Sequence, residues 1–332
     1  MQQFSGFDPN FNFFDNYAKN NERKLIKKNA GAIGVGYILA VIFNVILGVG
    51  AGFILQAIGK SHLISDPYFT QVIQVVGSLV MLVPPFIIAA KIAKIKPSRA
   101  IPMGAPKEKG IVLPILLSGY GVCLLANLIG GICSTFLENF GLHSEVDFNL
   151  PDGPVGFVVS VLTIALLPAL LEEFAYRGVV LALLRPFGNG FAVVVSGAMF
   201  GLMHGNMAQI PFAVIVGIAL SYITVRTGSI WPSVALHFIN NFVSVLLTSI
   251  TESMPEVAVA LINMAWMSIS ALCAIIGVAL LSQKKFSFAL QGSAKTKLRA
   301  AQKVSAFASS PAIIIALAIT ALEIILNFVM SS

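Results

Sequence analysis

The chain has 332 residues, of which 57% are apolar and 11% charged. A soluble domain carries nearer ~25% charged residues, so a large soluble helical core is excluded and the chain reads as a polytopic membrane protein. The net charge of +7 follows from basic linkers and contact with anionic lipid, so no nucleic-acid partner is expected.

In chain order, residues 1–28 form a polar tail with Phe4, Phe7, Phe11, Phe13 and Phe14 interleaved, ending in Arg23, Lys24, Lys27 and Lys28. The tail is expected either to rest on the membrane surface or to be disordered, and no cleavable signal peptide is expected before the first span. Nine apolar segments follow, at roughly 29–58, 70–95, 110–137, 154–184, 190–208, 209–226, 229–251, 257–282 and 310–331. Most approach the ~20 residues needed to cross a bilayer. The expected fold class is all-α, a polytopic transmembrane helical bundle of about eight or nine spans. The fifth and sixth segments are short, and the link around Gly205 to Pro211 is expected to reach water or to dip into the protein.

The linkers divide by charge. Lys19 to Lys28, the run from Lys91 to Lys109, Arg185, Arg226 and the run from Lys284 to Lys303 lie on one side. Asp66, Glu138, Glu145, Asp147, Asp152, Glu252 and Glu256 lie on the other, with Lys60. The positive-inside rule then predicts a cytoplasmic N-terminus and an external C-terminus. Residues 283–309 are expected to include a surface helix at the inner leaflet. Cys123, Cys133 and Cys273 sit in apolar runs without zinc or disulfide spacing and read as core residues. The chain divides into the tail 1–28, N-terminal spans 29–150, a core 151–251 and C-terminal spans 252–332.

Ionisable residues inside apolar segments are costly and mark functional sites by default. Three such breaches occur: Glu172, Glu173 and Arg177; His204 after Phe200; and His237 with Asn241. Adjacent residues on a helix point ~100° apart, so Glu172 and Glu173 have different roles. Glu173 and Arg177 are spaced i, i+4 and read as a structural ion pair, which leaves Glu172 for chemistry. Pro168 removes a helix hydrogen bond and frees the carbonyl of Ile164. Counted from the shared turn near Arg185 to Asn189, Glu172 and His204 both lie roughly 20 Å deep; counted from the start of the seventh segment near Ser229, on the same face, His237 and Asn241 lie roughly 12 and 18 Å deep. The groups can therefore meet at one level.

A carboxylate with an imidazole can activate water, and a His with an Asn can stabilise an oxyanion. Equally, Glu172, His204 and His237 match a catalytic zinc ligand set with water as fourth ligand. Both readings point to hydrolysis of an acyl bond, and the cofactor stays open between zinc and none. Ser196 has no triad spacing. His62 and His143 fall in linkers and need no role. Glu323, in the last segment, reads as a snorkelling or helix-pairing acid, with a role in substrate access as the lesser alternative.

Glu172-Glu173-x-x-x-Arg177, Phe200-x-x-x-His204 and His237-x-x-x-Asn241 resemble, in order and spacing, the motifs of the CAAX protease and bacteriocin-processing (Abi) family of intramembrane proteases. The resemblance covers about residues 150–250. It implies a membrane endopeptidase acting on membrane-embedded or lipidated substrates, metal-dependent or glutamate-dependent. It implies that Glu172 and His204 activate water, that His237 and Asn241 hold the oxyanion, and that Glu173, Arg177 and Phe200 support the site. It leaves as the alternative a non-proteolytic membrane scaffold or bacteriocin-immunity protein. A proton-coupled transporter is disfavoured by the lack of a visible repeat. The expected location is the plasma membrane of a bacterium.

Overall fold

The computed structural model describes residues 13–142, 150–290 and 296–331. Phe4, Phe7, Phe11, His143, Glu145, Asp147 and Lys295 lie outside the described residues. Among those described, the regular structure is entirely helical. Seven helices are long and apolar enough to cross a membrane, or eight if one bent pair counts as a single span. The fold is a polytopic helical membrane bundle.

The nine-segment reading is corrected at residues 190–208. The helix there is Asn189–Leu202, 14 residues. At 1.5 Å per residue it is ~21 Å long, short of a ~30 Å hydrocarbon core. The chain turns back after Leu202 through Gly205, whose φ of +58° suits a residue without a side chain.

Helix α1, Phe13–Ala57, begins inside the tail, so residues 13–28 are ordered helix rather than a disordered segment. Asp15 pairs with Lys19 at 2.6 Å, and Glu22 accepts the backbone N–H groups of Lys297 and Leu298. Ile26, Ala30, Ile33 and Tyr37 repeat at helical spacing and are all buried. Next come α2, Pro67–Leu82, and α3, Pro84–Ile92, divided where Pro84 and Pro85 cannot donate to the preceding turn. They are followed by α4, Val112–Glu138, α5, Gly153–Phe187, and the short α6, Asn189–Leu202. The remaining helices are α7, Gln209–Thr227, α8, Trp231–Thr251, α9, Glu256–Gln283, α10, Ala300–Ala308, and α11, Pro311–Ser331. Helices α10 and α11 are bent by 75° at the break before Pro311.

Helices α6 and α7 form a hairpin held together by glycines. A Cβ on Gly201 would lie 2.7 Å from the backbone nitrogen of Val214, and one on Gly197 2.5 Å from that of Ile218. Such small-residue contacts let membrane helices approach backbone to backbone. Gly201→Ala is therefore expected to destabilise the protein by ~3 kcal/mol, an overpacking cost against backbone that cannot move aside. Thermal unfolding in detergent checks this, and an unchanged midpoint would show that the hairpin is looser than drawn.

The two ends of the hairpin lie at a cation-bearing end of the bundle. A Cβ on Gly188 would approach Lys303 Nζ to 3.5 Å, and one on Gly228 would approach Lys107 Cε to 3.0 Å. Its tip is clamped from outside. Tyr37 donates from its hydroxyl to the carbonyl of Leu202 at 2.7 Å and shares a bond with Thr320 at 2.9 Å. Asn327 donates to the carbonyl of Gly205 at 3.0 Å. These contacts satisfy carbonyls that a helix end leaves open. Half-buried Glu323 packs at the same turn, its Oε2 lying 3.4 Å from where a Cβ on Gly205 would stand.

Candidate active site

Helix α5 carries two wide turns, Val161–Leu166 and Phe174–Val180, on either side of the ordinary helical turns that bear Glu172 and Glu173. Such π-type turns redirect side chains and recur at functional sites. Pro168 cannot donate to the carbonyl of Ile164, and the Asn241 side-chain amide donates to that carbonyl instead, at 3.3 Å. The free carbonyl thus fixes where Asn241 of α8 sits.

Glu173 is fully buried behind the site. Its Oε1 lies 3.1 Å from Arg177 Nη1, close enough for an ion pair though not aligned as a hydrogen bond, and both side chains are 0% exposed. Arg177 also donates from Nη2 to the carbonyl of Gly217 at 3.2 Å, and its guanidinium stacks 4.4 Å from the centre of the Phe200 ring. The same Glu173 oxygen lies 3.0 Å from Nδ1 of His237. His237 Nε2 is left pointing at Glu172, with Oε2 at 3.6 Å. That separation is beyond a hydrogen bond, and a water or substrate atom shared by both groups would sit beside the pair, on the cavity side.

Phe200 is the hub of this arrangement. Its ring meets those of His204 at 5.2 Å, His237 at 5.8 Å and Tyr176 at 5.3 Å, all edge-on. His204 engages the carbonyl of Phe200 through Nδ1 at 3.1 Å, so its Nε2 is the nitrogen not tied to the backbone.

Glu172, Phe200, His204, His237 and Asn241 line one cavity of about 700 Å³. Glu173 and Arg177 lie outside its wall. The imidazole set against Glu172 is His237, a pairing different from the Glu172–His204 pair that the motif roles imply. Ser196 is buried and donates to the carbonyl of Tyr176 at 3.1 Å. His62 belongs to the linker turn Ser61–Ser65 and does not line the cavity.

The sequence reading missed Gln74, Asn127, Ser134, Gln209, Asn240 and Ser244, which line the cavity as well. Their only signal was polarity within apolar runs, and Asn240 was masked by its neighbour; its side chain donates to Asn241 Oδ1 at 3.2 Å. Ile164, Pro168, Phe212, Ala213 and Val216 supply an apolar part of the wall.

Glu172, His204 and His237 do not converge as a donor set for zinc. Among the described residues no three His, Cys, Asp or Glu side chains are grouped to hold a metal ion. The second nitrogen of His237 is bound by Glu173, as the outer shell of a metal-ligating His would be, but His204 and Glu172 do not complete the set.

Residues 154–243 match the family model described as type II CAAX prenyl endopeptidase Rce1-like. The chain is also similar to a protein of Bacillus subtilis (strain 168) named "Putative membrane peptidase YdiL", with 20% identity over 171 residues, covering 51% of this chain and 70% of that one. No solved structure matches it. The matched segment holds all three motifs and most of the cavity wall, so the similarity to this family model falls on the residues that build the site.

Proposed function

We propose that the protein is an intramembrane endopeptidase that hydrolyses peptide bonds of membrane-associated or lipidated substrates, with Glu172 as the base that activates water. One observation carries the reading. Glu172 and His237 Nε2 face each other 3.6 Å apart on a cavity wall, while Glu173 holds the opposite nitrogen of the same ring. A base that opens on a cavity and an oriented imidazole beside it are what acyl hydrolysis requires.

In this mechanism Glu172 takes a proton from water as the water oxygen bonds to the scissile carbonyl carbon. The carbonyl oxygen becomes an oxyanion. The donors for it are His237, with a proton on Nε2 as well as the one that Nδ1 gives to Glu173, and the second N–H of the side-chain amides of Asn241 and Asn240 on the same wall. Collapse breaks the C–N bond, and the proton on Glu172 passes to the leaving amine. His204 orients the water through Nε2. Arg177 and Glu173 touch no reacting atom; they hold the His237 ring, and Phe200 spaces the two imidazoles. No metal takes part in these steps.

The side-chain amides of Gln74, Asn127 and Gln209 on the wall suit an extended peptide backbone, and the apolar residues suit a lipid-bearing or membrane-derived side chain. Residues 151–251 would form the catalytic core, with 29–150 and 252–332 bracing it through Tyr37 and Asn327. The grouping of Lys107 and Lys303 at the hairpin ends supports a cytoplasmic N-terminus, and a bacterial plasma membrane fits that charge pattern.

The test is cleavage of quenched fluorescent peptides, farnesylated and unmodified, by the purified protein in detergent, with product masses measured. Cleavage at one internal bond is expected. If no peptide is cut while a cellular phenotype survives Glu172→Ala and His204→Ala together, the protein is a scaffold instead.

A further inference from the structure

A second cavity, of about 380 Å³, lies at the cation-bearing end, between the start of α4 and the C-terminal ends of α7 and α9. Arg226, Lys284 and Lys285 line it against one carboxylate, Glu108. Among the described residues none of the three cations has an ion-pair partner within 4.0 Å. Arg226 is half-buried, and its Nε is enclosed with no hydrogen-bond partner. Its guanidinium lies 4.5 Å over the Phe286 ring, which fixes the plane of its donors. Lys284 Nζ stands 3.5 Å from where a Cβ on Gly110 would be, in the tight turn Lys109–Ile111 that leads into α4, and neither that turn nor α4 has a side-chain cap at its start.

Lys285 has a φ of +50°. It occupies the left-handed position that closes a helix C-terminus, with Phe286 N–H bonded to the Leu281 carbonyl at 3.0 Å. Glycine is the usual residue there, because a side chain costs energy in that conformation. Cations do complement the carbonyl ends of α7 and α9. That effect requires neither a cavity nor an enclosed Nε without an acceptor.

We propose that this cavity binds the phosphate group of an anionic membrane lipid. A guanidinium of fixed plane and two ammonium groups match phosphate oxygens, and basic pockets between helices at the membrane surface select such headgroups. A free phosphate would meet the same cations. The lipid is favoured because Phe286 lines the cavity, Phe288 packs against Phe286 with ring centres 5.2 Å apart and is 58% exposed, and α9 also exposes Leu272, Ile275 and Val278, apolar surface that acyl chains can cover. The site is separate from the Glu172 cavity, and its test does not depend on hydrolysis.

The experiment is native mass spectrometry of the full chain titrated with phosphatidylglycerol or phosphatidylcholine, with inorganic phosphate as competitor. Wild type is expected to hold one phosphatidylglycerol in preference to phosphatidylcholine. Arg226→Gln should weaken it about tenfold, and Lys284→Gln and Lys285→Gly about fivefold each, the effect of one cation near the membrane surface. Lys284 is exposed and glycine suits the conformation of Lys285, so neither change threatens folding. Equal retention of phosphatidylglycerol by wild type and all three variants would overturn the site, as would equal binding of the two lipids. Binding of inorganic phosphate with no uptake of lipid would overturn the lipid as its source.

Discussion

Glu172→Gln is expected to lower peptide cleavage about 10³-fold, within the range that a positioned general base supplies. Glutamine has the same shape and can still accept and donate hydrogen bonds, but it cannot take the proton from water. The Glu172 side chain is 16% exposed toward the cavity and lies 3.6 Å from His237 Nε2, so the change leaves no enclosed charge unpaired. The unfolding midpoint in detergent should therefore stay close to wild type while turnover disappears. Measuring both on one preparation separates chemistry from folding. A parallel fall in midpoint and turnover would make Glu172 a structural residue. Loss of wild-type turnover on chelation, restored by zinc, would reassign Glu172, His204 and His237 as ligands.

Arg177→Met should be the most damaging single change to the fold. It leaves the Glu173 carboxylate fully enclosed without its permanent cation, and breaking one partner out of a buried ion pair costs ~3–5 kcal/mol. It also removes the donor to the Gly217 carbonyl and the cation over Phe200. The double variant Arg177→Met with Glu173→Gln should recover much of the midpoint, because no uncompensated charge remains. It should not recover turnover, since His237 Nδ1 loses its anionic partner. Thermal unfolding and peptide cleavage on wild type, both single variants and the double variant give the complete cycle. If Arg177→Met unfolds at the wild-type midpoint, the pair does not hold the site together.

Composition and residue spacing made much of this legible beforehand. Apolar runs near twenty residues long announce membrane helices, because backbone hydrogen bonds in lipid must close within the segment. Glu173 with Arg177, and Pro168 with the Ile164 carbonyl, depend on neighbours within one or two helical turns, so their relation could be read directly from the chain. Other features depended on packing. The 14-residue α6 was counted within a longer apolar segment because hydropathy does not register the turn at Gly205. The amides of Gln74, Asn127 and Asn240 looked like scattered polarity until α2, α4 and α8 were set around one cavity.

The sequence by itself determined that the protein is a helical membrane protein and which ionisable groups are exceptional in it, since hydropathy and i, i+4 spacing are local properties. Only the tertiary structure decided that His237, rather than His204, faces Glu172, and that Asn241 occupies the carbonyl left open by Pro168. Those outcomes rest on the rotation and depth of α5 and α8 relative to the α6–α7 hairpin. Wide turns in α5 and glycine contacts at Gly197 and Gly201 set that geometry, through contacts between residues far apart in the chain.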